Sequence, residues 1–184
     1  MGRAIAKIAE LRPPVKPKTT FTVGTVAGGT SINSIAGDAV FELDMRSVGM
    51  DALLAFEAQA LQAIRTAVDE ENARWKHERQ VSVNIEPVGS RPAGSQAADA
   101  PIIQAAMLAI GSIGRKPMLE APASTDANLP ISLGIPAMTV GRGGSTGDNH
   151  ALSEWYDPTD AYLGVQKNLL TVLGLVGVAG VSPP

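Results

Sequence analysis

With 184 residues, 45% of them apolar and 18% charged, the chain has the balance of a folded globular protein, long enough for one large domain or two small ones, which excludes a disordered chain. A net charge of −3 with no Lys/Arg block argues against nucleic acid or an anionic membrane as partner. The lack of cysteine removes disulfides, thiolate metal sites and cysteine nucleophiles, and fits a reducing, cytoplasmic setting.

The segment from Met1 to Leu11 has no long apolar run, so it reads as neither a signal peptide nor a membrane span. Ile5, Ile8 and Leu11 recur at about one side chain per turn and predict a short helix over 3–11, stopped by Pro13-Pro14. Thr20 to Val26 and Ala39 to Arg46 alternate and predict two strands around a turn-rich segment. In the second of these Phe41, Leu43 and Met45 share one face, and Glu42, Asp44 and Arg46 the other.

Asp51 is placed to cap a long helix ending near Trp75, in which Leu54, Leu61, Val68 and Trp75 repeat by heptads with Ile64 on the same side. Val81, Val83 and Ile85 then predict a third strand. This order, α-β-β-α-β, is a ferredoxin-like unit without its first strand, so the chain is expected to start inside a domain. A Gly/Pro/Ala-rich stretch from Ser90 to Asp99 marks a boundary and predicts domains at 1–90 and 91–184.

Beyond it the pattern predicts a helix over 101–113 with Pro101 in its first turn, a short strand near Met118, a helix over 128–133, a strand over 137–140, a glycine-rich loop, and a last helix from Pro158. Strands alternating with helices imply a thin α/β layer. The apolar stretch Leu169 to Val181 is broken by Gly174, Gly177 and Gly180 and is too short to span a bilayer.

The chain has two histidines, which narrows the acid–base and metal chemistry. His77 stands at the end of the long helix, where a cation suits the helix dipole. His150 closes the loop Gly141-Arg142-Gly143-Gly144-Ser145-Thr146-Gly147-Asp148-Asn149-His150, directly after a predicted strand. Ligands of α/β sheets bind beyond the carboxyl ends of strands, and Gly143 and Gly144 permit close approach of backbone to substrate. A metal-binding imidazole, with Glu154 orienting it, is one reading of His150; a hydrogen bond that merely stabilises the loop is the other.

The run Thr22-Val23-Gly24, Gly28-Gly29-Thr30-Ser31-Ile32-Asn33-Ser34-Ile35 and Glu42-Leu43-Asp44-Met45-Arg46-Ser47 resembles the lid of the zinc metallopeptidase and amidohydrolase family that contains peptidase T, aminoacylase, acetylornithine deacetylase and succinyl-diaminopimelate desuccinylase. Ser124-Thr125-Asp126-Ala127, Gly134-Ile135-Pro136-Ala137 and His150 with Glu154-Trp155 resemble the end of its catalytic domain. The resemblance implies an α/β (α+β) chain, a ferredoxin-like dimerisation lid followed by a partial α/β catalytic domain. It implies two zinc ions in the intact enzyme, a homodimer formed through the lid, and a small peptide or N-acyl amino acid as substrate.

By the same resemblance His150 matches the last metal ligand of the two-zinc site, and Asn33 and Arg46 match lid residues that hold the substrate carboxylate; Gly143 and Gly144 are expected to bind substrate on the loop argument above. The plainer readings are a surface salt bridge of Arg46 with Glu42 or Asp44, a turn-forming Asn33, and helix capping by Thr125 and Asp126. The family's His-x-Asp pair, bridging Asp and Glu-Glu pair have no counterpart; Glu70-Glu71 lies within the predicted lid helix. The expectation is therefore a C-terminal hydrolase fragment, inactive alone, whose N-terminal catalytic segment is missing. The alternative is a dimerisation or regulatory module that lost its chemistry; a ferredoxin-like RNA binder fails on charge and on exposed aromatics.

Overall fold

The computed structural model describes residues 1–75, 79–120 and 122–181. The chain forms two compact units, Met1–Gly94 and Ser95–Pro184. Both mix helices with two-stranded antiparallel sheets, an α+β chain as the resemblance implies. No helix among the described residues is long and apolar enough to cross a membrane.

In the first unit α1 (Gly2–Glu10) and α2 (Met50–Trp75) pack together, and α2 also packs on the strand pair β1 (Thr19–Gly28) and β2 (Ala39–Ser47). The pair runs antiparallel from Thr19 opposite Ser47 to Gly28 opposite Ala39, with a bulge between Val23 and Thr25. Gly24 is the extra residue there, a position where a missing side chain suits the local bend. Ala4, Ile8, Ile64 and Ala67 form the core, with Phe21, Phe41, Leu43 and Leu61 packed against it. The Phe21 and Phe56 rings lie 5.1 Å apart in a tilted contact. Arg3 and Lys7 on α1 reach Glu71 and Glu70 on α2, and hydrogen bonds from Trp75 and then Arg3 hold the Glu71 carboxyl below its usual range.

Three expectations change in this unit. The buried residues of α2 are Phe56, Ala60, Ile64 and Ala67; the heptad residues Leu54 and Trp75 are 49% and 54% exposed, on a stripe beside the core-facing one. Asp51 sits inside the first turn, where an acid favours the helix dipole, rather than capping it. Val81, Val83 and Ile85 form no strand: the Asn72 side chain bonds both the N–H and the C=O of Val81, at 2.8 and 2.9 Å, so an amide takes the place of a neighbouring strand. The expectation for His77 lies outside the described residues.

The second unit contains α3 (Pro101–Ser112), α4 (Asn128–Ser132), the short pair β3 (Ser145–Gly147) and β4 (Trp155–Asp157), and α5 (Tyr162–Val176), with α3 packed on α5. Pro101 occupies the first turn of α3 as its missing N–H allows. The expected strands near Met118 and over 137–140 do not form, so a parallel α/β layer is absent among the described residues. Extended apolar segments become strands only when a neighbouring edge bonds them. Here the Gln96 side chain, not a strand, accepts the N–H of Ala137.

Candidate functional site

The glycine-rich loop of the second unit folds as a hairpin, with Ser145 opposite Asp157 and Gly147 opposite Trp155. Gly143 and Gly144 have φ of 88° and 69°. A Cβ on Gly143 would stand 2.5 Å from the Ala161 carbonyl oxygen, and one on Gly144 would stand 2.5 Å from that of Asp157. The demand for glycine at both positions is thus met by packing inside the unit. The Gly164 backbone on α5 comes against the Arg142 carbonyl, closing the loop onto the helix. The Arg142 guanidinium lies 4.5 Å over the Tyr156 ring, whose hydroxyl donates to the Gly143 carbonyl at 3.3 Å.

At the end of the loop Asp148 and His150 both take left-handed backbone, at φ 54° and 67°. For residues other than glycine this is uncommon, and here it is held by local bonds. Ala151 N–H reaches the Asp148 carbonyl at 2.9 Å, and His150 N–H donates to Glu154 Oε2 at 3.2 Å. Glu154 therefore grips the backbone of His150. His150 is exposed. Beside the loop, the backbone N–H and then the hydroxyl of Thr159 hold Asp157 below its usual range. Lys167 stands 3.7 Å from where a Gly141 Cβ would lie, and burial pushes its pKa down.

Thr125 closes a turn ahead of α4: its N–H donates to Asn128 Oδ1 at 2.8 Å and its hydroxyl accepts from Ala127 N–H at 3.3 Å. The Thr139 hydroxyl donates to that of Thr125 at 2.8 Å.

In the first unit Arg46 is exposed on β2 and its Nε donates to Asp44 Oδ2 at 2.6 Å, an ion pair of the kind worth about 0–1 kcal/mol at a surface. Asn33 lies in the exposed turn joining β1 to β2 and accepts from the Ser31 hydroxyl at 3.0 Å. Arg46 pairs with Thr20 at the opposite end of the hairpin from that turn. Ala39 to Arg46 alone spans roughly 24 Å at about 3.4 Å per residue, which separates Arg46 from the end of β2 that adjoins the Asn33 turn.

The residues sequence reasoning missed here are Tyr156 and Gly164. Tyr156 sits in a strand of only three residues, Trp155–Asp157, whose alternation is too short to register. Gly164 looks from sequence like an ordinary glycine inside a helix.

Residues 1–76 match the family of the peptidase dimerisation domain. That stretch is similar to a peptidase dimerisation domain. The match includes β1, β2 and α2, and with them Asn33 and Arg46. A search of curated proteins found no match. Among solved structures, the chain is similar to aminopeptidase PepT from Bacillus cereus ATCC 10987, with 21% identity and a TM-score of 0.64 over 92% of this chain and 43% of that one. The chain thus spans less than half the length of that peptidase. The resemblance read from the motifs, to the C-terminal part of the metallopeptidase family, is borne out by the dimerisation-domain match and by this shared fold.

A catalytic zinc takes about three protein ligands. No group of three or more His, Cys, Asp or Glu side chains placed to hold a metal occurs among the described residues, so these residues by themselves do not fit a zinc ion. The matched residues 1–76 and the His150 loop fall in different units.

Proposed function

We propose that this chain is the lid and closing segment of a metal-dependent hydrolase that cleaves the amide bond of small peptides or N-acyl amino acids, and that it pairs with a second copy through its dimerisation domain. The match of residues 1–76 to the peptidase dimerisation domain carries the reading, supported by the fold shared with an aminopeptidase. The units are taken as a lid, 1–90, and the end of a catalytic domain, 91–184.

In this reading Arg46 holds the substrate carboxylate, because a guanidinium fork matches its two oxygens and each charge-assisted bond contributes about 1.5–3 kcal/mol. Asn33 is a separate lid contact at the far end of the hairpin, and Gly143 and Gly144 set the backbone that faces substrate. His150 supplies one donor to a zinc site, held in place through Glu154; the other donors lie outside this chain, and the enzyme works in the cytoplasm. The chain alone then hydrolyses nothing.

The test is zinc titration of the purified chain with an assay on dipeptides and N-acyl amino acids. Binding no tighter than micromolar, weakened by His150→Ala, and no turnover are expected, because structural zinc sites reach about 10–16 kcal/mol only with a full ligand set. Nanomolar zinc affinity or metal-dependent turnover sinks the claim that the chain is incomplete. A second reading is a dimerisation or regulatory module without chemistry. It is chosen if His150→Ala leaves zinc binding unchanged.

A further inference from the structure

We infer that Asp44 is a positioning residue that turns the Arg46 guanidinium so that its two terminal nitrogens face a carboxylate; this rests on the reading of Arg46 as the substrate clamp. Alternation along β2 places Glu42, Asp44 and Arg46 on one exposed face, two acids beside one cation. Each acid has its own partner. The Thr25 hydroxyl donates to Glu42 Oε2 at 2.8 Å across the strand pair, while Asp44 Oδ2 accepts from Arg46 Nε at 2.6 Å. Glu42 is thereby occupied, and only Asp44 takes hold of the guanidinium.

The bond is made at Nε, which uses one corner of the fork. No bond among the described residues is made to a second acceptor, so the Nη1–Nη2 edge is left with parallel N–H groups spaced for the two oxygens of a carboxylate. A long side chain free to rotate would lose rotamer entropy on binding; one already anchored at Nε loses less. The opposing effect is electrostatic, since the Asp44 charge partly cancels that of Arg46 and weakens its pull on an anion. Orientation and charge therefore act in opposite directions, and two substitutions separate them. Asp44→Asn keeps a carbonyl acceptor for Nε and removes the charge. Asp44→Ala removes both.

The experiment uses the full chain, isotopically labelled, titrated with N-acetylglycine while the Arg46 side-chain nitrogen and Cζ resonances are followed by NMR. In the parent, Nη and Cζ shift with added ligand while the Nε–H stays slow to exchange. Asp44→Asn binds as well as the parent or more tightly. Asp44→Ala binds about two- to tenfold more weakly, the range given by freeing one rotamer-rich side chain, and its Arg46 Nε–H exchanges faster. Unchanged amide spectra elsewhere establish that both variants fold. Binding by Asp44→Ala equal to or tighter than the parent overturns the inference and leaves Asp44 as a competing charge. No response of Arg46 to ligand in the parent overturns the clamp reading itself, and the positioning role with it.

Discussion

Gly164 shows how much of the second unit turns on the absence of one methyl group. Its backbone lies against the Arg142 carbonyl, and a Cβ there would also stand 2.7 Å from the Gly143 nitrogen. Gly174 lies on the same helix, with nothing within 4 Å of its would-be Cβ. Gly164→Ala is therefore expected to cost about 1–3 kcal/mol as an overpacked contact. Gly174→Ala is expected to be neutral or to stabilise by about 0.5–1 kcal/mol through helix propensity. Urea denaturation of the two variants reads both, and equal stabilities would mean that α5 does not rest on the loop. The same scale explains why the site was only partly legible. The loop advertised its glycines and His150, but whether glycine serves a substrate or a neighbouring carbonyl depends on residues far along the chain. The carboxylate of Glu154 was legible as a partner of His150; its bond to the His150 backbone N–H was not.

Among the elements, α1, β1, β2, α2, α3 and α4 follow from their own periodicity and breakers, and each is found within a few residues of its expected bounds. The face that α2 buries shares Ile64 with the expected one, and Leu61 packs against its edge. Leu54, Leu61, Val68 and Trp75 form the more conspicuous apolar series, yet the helix turns Phe56 and three small or branched residues inward, because Ala60 and Ala67 let α1 and the strands approach closely. Phe56, only 1% exposed, is expected to cost about 3–5 kcal/mol when cut to Ala, whereas Leu54→Ala costs far less. Reversed ranks in chemical denaturation would refute this assignment of faces. The residues Val81 to Ile85 make the complementary point. Their alternation is that of a strand, but a strand exists only where another edge completes its hydrogen bonds, and Asn72 completes those of Val81 instead.

For the whole molecule, a two-stranded β1–β2 pair beside a half-exposed apolar stripe on α2 leaves strand edges and apolar side chains that self-association would cover. The chain is expected to sediment as a dimer, and Leu54→Arg to shift it toward monomer without unfolding it. A parent that remains monomeric at high concentration would count against dimerisation through the lid. By itself the sequence determined the α+β class, the order of most helices and the lid strands, and the family resemblance, because these rest on local periodicity, turn chemistry and short motifs. Only the tertiary structure decided which face of α2 is buried, that two of the expected strands in the second unit do not form, and that Asn33 and Arg46 stand at opposite ends of one hairpin. Those outcomes depend on which distant backbone or side chain completes each hydrogen bond and fills each gap, a choice that no window of neighbouring residues contains.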